Sequence, residues 1–117
     1  MGLRNEEILI FDGACGTNIQ QIDLPGEAYG ERYAGFNEYL NLSAPQAIVT
    51  LHEMFLEAGA NVIETNTFGA NAIVAAEYGL GEQVEALNRA AVENAKRAIG
   101  SRGGCYVAGS IGPTTKL

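Results

Sequence analysis

The chain has 117 residues, 47% of them hydrophobic, and a formal net charge of −7. Its seven Lys and Arg side chains are scattered, so no basic patch tracks a nucleic-acid backbone, and the acidity describes a soluble surface. The apolar runs fall well short of the roughly 18 residues that span a bilayer, and residues 1–7 carry Arg4, Glu6 and Glu7 where a signal peptide would be apolar; the expectation is a globular, cytoplasmic protein with no membrane or nucleic-acid partner.

In chain order, residues 8–11 (Ile-Leu-Ile-Phe) form a short continuous apolar run. Such a run fits a parallel strand buried on both faces. Asp12-Gly13 ends it with a turn signal. Residues 18–42 are irregular and contain Pro25, Gly26, Gly30 and Gly35 among the aromatics Tyr29, Tyr33, Phe36 and Tyr39. A loop of that length is uncommon in a compact domain and is often functional.

Ser43-Ala44-Pro45-Gln46 opens the first clear helix. Ser43 is placed to cap it and Gln46 to reach back, with Pro45 tolerated in the first turn. Ile48, Leu51, Phe55 and Ala58 form its apolar face, which leaves His52, Glu53 and Glu57 off that face. Gly59 supplies the stop. Residues 61–68 read as a second strand with Val62 and Ile63 at its core. A short helix follows over about residues 71–78, halted by Gly79, and a longer one over about 82–99. Its inward stripe is Val84, Leu87, Ala91, Ala95 and Ala98, and Lys96 and Arg97 sit at the end that favours cations. Residues 105–111 form a third strand, ended by Gly112-Pro113.

Alternating strands and helices imply α/β architecture, a parallel sheet with helices outside. All three strands end in small or polar residues, and chemistry on such sheets gathers at those carboxyl ends. The last strand is followed by no helix, which sets the expectation that the chain is part of a larger fold.

Asp12-Gly13-x-x-Gly16-Thr17 directly follows the first strand. Asp12 can hold a substrate ammonium at the strand tip, or it can serve an Asx turn or helix cap. The loop is no Walker loop, because no Lys follows its second glycine. It matches a phosphatase-type loop only in the hydrophobics before Asp-Gly. In Glu64-Thr65-Asn66-Thr67, alternation puts Glu64 and Asn66 on one face and both threonines on the other. Ser110 to Thr115 is a third small polar strand end. Cys15 is the tempting nucleophile, but a catalytic thiol needs a nearby base. The one histidine, His52, is expected on a helix surface away from the strand tips, and Cys105 in the core. Both cysteines are expected as reduced thiols.

These segments resemble one family. Ile8-Leu9-Ile10-Phe11-Asp12-Gly13-Ala14-Cys15-Gly16-Thr17 resembles the first strand and loop of homocysteine S-methyltransferase domains. Asn37-Glu38-Tyr39-Leu40-Asn41-Leu42-Ser43 followed by Pro45 resembles their loop-to-helix entry. The most specific stretch runs Glu57-Ala58-Gly59-Ala60-Asn61-Val62-Ile63-Glu64-Thr65-Asn66-Thr67-Phe68-Gly69-Ala70-Asn71. Leu87-Asn88-Arg89-Ala90-Ala91 and Val107-Ala108-Gly109-Ser110-Ile111-Gly112-Pro113-Thr114 complete it, and the ending is most similar to the cobalamin-dependent methionine synthase branch.

The resemblance implies a (β/α)8 barrel, with residues 1–117 as an N-terminal fragment of about three βα units of a homocysteine-binding domain. It implies methyl transfer from methylcobalamin to a zinc-bound homocysteine thiolate, giving methionine. Zinc and cobalamin would belong to the full-length parent, with none bound to this chain. Cys15, where the family more often has Met, and Cys105 match none of the family's three zinc ligands, which lie on later strands. The chain alone would therefore be inactive, with no catalytic residue and no metal ligand of its own. Asp12 and Gly13 would contact the amino-acid end of homocysteine, and Asn66, Thr67, Ser110 and Gly112 would line the same mouth. Its partners would be homocysteine, the rest of the barrel, and folate and cobalamin modules. The alternatives are a non-catalytic, self-associating α/β module and a phosphate-handling enzyme built on Asp12-Gly13.

Overall fold

The computed structural model describes residues 8–21, 24 and 35–116. The expectations placed on residues 1–7 and on Pro25, Gly26, Tyr29, Gly30 and Tyr33 lie outside the described residues.

Three parallel backbone tracks form the centre. Strand β1 (Val62–Glu64) pairs with β2 (Tyr106–Ala108) in the register Val62 with Tyr106, Ile63 with Val107 and Glu64 with Ala108. On the other side of β1, Phe11 makes a parallel bridge to Val62. The Ile10 carbonyl accepts from the Asn61 and Val62 amides, and the Asp12 amide donates to the Val62 carbonyl at 3.0 Å. The fold is thus mixed α/β with a small parallel sheet, as alternation implied.

The helices follow in order: α1 (Cys15–Ile19), α2 (Leu40–Ser43), α3 (Pro45–Glu57), α4 (Ala72–Glu77) and α5 (Val84–Ile99). The long irregular segment is therefore partly helical, with α1 near its start and a 3-10 turn (Asn37–Tyr39) running into α2 at its end. Helices α3 and α5 pack over β1 through Val49, Leu56, Ile63, Ala95 and Ala98. Alanines on α5 allow this close approach, since a small side chain brings the helix axis nearer the sheet. A second cluster joins Ile19, Leu40, Ile48 and Leu51. A third gathers Phe36, Ala70, Ala75, Leu80 and Leu87, capped by Phe36 stacked on Tyr78 with ring centroids 4.6 Å apart.

Three local expectations are corrected. Ser43 does not cap α3: it ends α2, and the N-cap is Ala44, with no side-chain capping bond. Pro45 alone pre-sets the first turn. His52 is not a surface residue; it is 2% exposed. The reason is spacing: position 52 is four residues beyond Ile48, on the same face, and a neutral imidazole can be buried there. Residues 8–11 are not buried on both faces, since Ile8, Ile10 and Phe11 are 86%, 55% and 52% exposed. Among the described residues this track is paired on one side only, so half of the burial a parallel strand requires is missing.

A buried polar net ties the loop to the sheet. Asn41 Nδ2 donates to the Glu38 carbonyl (3.0 Å) and to the Asn66 carbonyl (2.7 Å), while Asn94 Nδ2 on α5 donates to the Asn41 carbonyl (3.2 Å). Buried carbonyls without a donor cost the desolvation they have already undergone. Asn41→Leu, which preserves volume and removes the donor, should destabilise the fold by about 2–4 kcal/mol. Asn88→Ala, on a half-buried side chain bonded to the Ala70 carbonyl, should cost about 1 kcal/mol. Denaturant titration of both variants checks the ranking.

Candidate functional site

A cleft of about 580 Å³ opens at the carboxyl ends of the three tracks. The loop after residue 11 contributes Asp12, Gly13 and Cys15. The 3-10 turn contributes Asn37 and Glu38, α3 contributes His52 and Phe55, and the end of β1 contributes Glu64 to Phe68; Ser110 closes the rim. Strand ends in a parallel sheet all point one way, which is why residues 50 or more positions apart meet here.

Asp12 is held by the neighbouring strand. Its Oδ2 accepts from the Glu64 amide at 3.1 Å, and its Oδ1 is buried without a hydrogen-bond partner among the described residues. Burial, with the nearby Glu64 charge, pushes its pKa up to about 6. Gly13 is needed for close packing: a Cβ there would lie 3.2 Å from Phe55 Cε1.

Thr65 and Thr67 point the same way, as alternation required, and join the two strand ends. Thr67 Oγ1 donates to the Ser110 carbonyl (2.7 Å), the Ser110 amide donates to Thr65 Oγ1 (3.2 Å), and the two hydroxyls are 2.7 Å apart. The Thr67 hydrogen is spent on Ser110, so Thr65 must donate to Thr67, and the bond directions are fixed around the ring. Asn66 faces the cleft. Its Nδ2 donates to the Asn37 carbonyl at 3.0 Å, and its Oδ1 accepts from the Cys15 thiol at 3.6 Å.

Of the six residues expected at the mouth, Asp12, Gly13, Asn66, Thr67 and Ser110 line one cleft. Gly112 is not among its lining residues. A Cβ there would collide with the carbonyl oxygen and ring of Phe68, a cleft residue, so this glycine makes room for Phe68.

Cys15 also faces the cleft, but its thiol is pushed up to about 12 by burial and by the charges of Glu38 and Asp12. A thiol held protonated in this way is a poor nucleophile. Among the described residues, no group of three or more His, Cys, Asp or Glu is placed to hold a metal. Cys105 is half-buried beneath α3 and α5.

Two cleft residues escaped the motif reading. Glu38 is 9% exposed, and its Oε2 has no partner among the described residues. Its signal was an acid set between Phe36 and Tyr39, just before a helix. His52, expected far from the strand tips, lines the cleft too, because α3 runs beneath it. Burial holds its pKa down at about 4.

No helix among the described residues is long and apolar enough to cross a membrane. The family model described as homocysteine S-methyltransferase matches residues 9–117. Curated relatives include a methionine synthase of Mycobacterium tuberculosis, 35% identical over 97% of this chain. A methionine synthase of Mycobacterium leprae is 34% identical over 96%. The chain spans about a tenth of the length of these relatives, 10% in each case.

Asp12 and His52 load the pH dependence of stability in opposite senses. Folded Asp12 keeps its proton up to about pH 6, against an ordinary value of 3.8, so the stability it adds in acid is lost as pH rises through that window. Folded His52 resists protonation down to about pH 4, against 6.5, so its contribution is present above 6.5 and lost as pH falls. His52→Leu should therefore remove an acid-side loss of about 2 kcal/mol between pH 6.5 and 4.5. Denaturant melts at the two pH values measure this, and a slope equal to that of the unmodified chain would count against a buried neutral imidazole.

Proposed function

Because the chain belongs to the homocysteine S-methyltransferase family, we propose that it supplies the amino-acid-binding wall of a methionine synthase. In this reading the parent transfers a methyl group from methylcobalamin to homocysteine thiolate, and residues 1–117 are the N-terminal three βα units of its (β/α)8 barrel. The observation that carries the reading is the bare Asp12 Oδ1 at the tips of three parallel strands. A carboxylate with one buried oxygen left without a partner gains from a ligand that brings its own cation. The ammonium of an α-amino acid does so. Gly13 lets the loop lie close over Phe55, and Asn66, Thr67 and Ser110 rim the place where the rest of the amino acid would sit, with Gly112 making room for Phe68.

Zinc and cobalamin belong, on this reading, to the full-length parent. The described residues do not fit a zinc site: Cys15 holds its proton beside two carboxyl groups, and no other donors gather around it. No step through a metal is assigned to this chain, whose part is to bind and orient homocysteine. The reading places the protein in the cytoplasm, beside the rest of the barrel and the folate and cobalamin modules of its parent.

Self-association of the isolated chain is a second reading, favoured by the exposed Ile8, Ile10, Phe11 and Ile111 along the open track and strand end. A phosphate ligand fits poorly. The cleft wall carries Asp12, Glu38 and Glu64 and, among the described residues, no Lys or Arg, so an anion would be repelled.

In the full-length parent, Asp12→Ala should raise KM for homocysteine by about tenfold, the worth of one charge-assisted hydrogen bond, and leave the zinc content unchanged. Steady-state kinetics with metal analysis of the same preparation tests this, and loss of zinc would show the role to be wrongly assigned. The 117-residue chain, supplied with zinc, methylcobalamin and homocysteine, should show no turnover; measurable methionine formation would overturn the fragment reading.

A further inference from the structure

The cleft wall carries a hydrogen bond that the reading above leaves unused. Asn66 is buried at the end of β1, and three segments meet on it. Its backbone carbonyl accepts from Asn41 Nδ2 at 2.7 Å. Its side-chain Nδ2 donates to the Asn37 carbonyl at 3.0 Å. Its Oδ1 accepts from the Cys15 thiol at 3.6 Å. The first two bonds fix the 3-10 turn and α2. The third reaches across 51 positions to the first residue of α1.

Helix α1 needs such a tie. It has five residues, and its N-cap, Ala14, makes no side-chain capping bond. So short a helix is not stable by itself in water. Ile19 anchors its far end in the apolar cluster with Leu40, Ile48 and Leu51. At the near end, Cys15 packs against the same cluster and bonds Asn66. Residues 12–16, which line the cleft, are thus held at Asp12 by the Glu64 amide and at Cys15 by Asn66.

The direction of the bond follows from the chemistry of the groups. A carboxamide has one donating and one accepting end. The Asn37 carbonyl can only accept, so Nδ2 must face it, which turns Oδ1 toward Cys15. An acceptor there requires a donor opposite. A thiol meets that need while it keeps its hydrogen, whereas a thiolate would set acceptor against acceptor. Burial, and then the charges of Glu38 and Asp12, push the thiol up to about 12, so the acids of the cleft preserve the donor. Without it, the amide oxygen loses this partner, or the amide turns over and strands the Asn37 carbonyl.

We infer that Cys15 is a positioning residue: its thiol, as a hydrogen-bond donor, sets the side-chain amide of Asn66 and holds the first turn of α1 to the end of β1. The role rests on the bond geometry. Its consequence for binding rests on the reading of the cleft proposed above.

The test follows the side-chain amide hydrogens of the 117-residue chain by NMR, as rates of exchange with solvent. Asn66 is the reporter. Asn88, whose Nδ2 donates to the Ala70 and Val84 carbonyls, reports general loosening. Cys15→Ala removes the donor and should speed exchange at Asn66 at least about threefold, the worth of one modest hydrogen bond, with Asn88 unchanged. Cys15→Ser restores a donor and should bring Asn66 back to within about twofold of the unmodified chain. L-Homocysteine, titrated into the same samples, should bind about threefold more weakly to Cys15→Ala than to Cys15→Ser. Unchanged exchange at Asn66 in Cys15→Ala would overturn the role. So would equal acceleration at Asn66 and Asn88, which is general destabilisation. A Cys15→Ser variant that behaves like Cys15→Ala would overturn it too, since volume rather than the donor would then decide. Equal affinity of the two variants for homocysteine, with the exchange difference intact, would overturn the positioning of the site. If the unmodified chain binds no homocysteine, the amino-acid reading falls, and exchange at Asn66 still decides the role of Cys15.

Discussion

Asn41 is the joint on which the site depends. Its buried side-chain amide donates to the carbonyls of Glu38 and Asn66, and its backbone carbonyl accepts in turn from Asn94 on α5. These bonds connect a loop, a strand end and a helix that have no regular secondary structure in common. A buried amide that satisfies two carbonyls at once leaves little freedom to any of them, because each alternative strands a polar group away from water. The 3-10 turn is thereby clamped to the end of β1, and Glu38 is delivered to the cleft floor. The threonine ring of Thr65 and Thr67 does the same for the end of β2 through Ser110. The cleft has firm walls even though its three tracks are only a few residues long.

The electrostatics of that cleft are one-sided. Asp12 and Glu38 both have raised pKa values, chiefly through burial, and Cys15 is kept protonated between them. His52 is kept neutral by burial. A site lined by acids and a neutral imidazole, with no Lys or Arg among its described lining residues, is electrostatically negative. It is well suited to receive a cation. The chain belongs to the homocysteine S-methyltransferase family; under the reading proposed above, the chemistry would reside elsewhere in the parent and this chain would position the substrate.

Strand and helix identity, parallel pairing and the gathering of strand ends could all be deduced from local pattern. The run at residues 8–11 and the core Val62-Ile63, alternating with apolar-striped helices, admit few arrangements other than a parallel sheet. The strand ends gather on one side for the same reason, whereas the choice of mouth residues came from the family resemblance. What local pattern could not supply was depth. Whether position 52 faces solvent depends on how α3 is rotated over β1, and its spacing from Ile48 competes with the usual polarity of histidine. The exposure of Ile8, Ile10 and Phe11 depends on what lies beyond the edge of the sheet, which no residue in the run encodes. Ser43 had the composition of a cap and was taken up by the helix before it.

The sequence by itself therefore determined the order of elements, the direction of the sheet and the presence of Asp12, Gly13, Asn66, Thr67 and Ser110 at one end of it. Periodicity and turn chemistry act over a few residues and are written locally. Only the tertiary structure decided that Glu38 and His52 join them, and that one oxygen each of Asp12 and Glu38 stays bare. Those facts arise from contacts between segments tens of residues apart, where burial and the shortage of partners are properties of the packed interior.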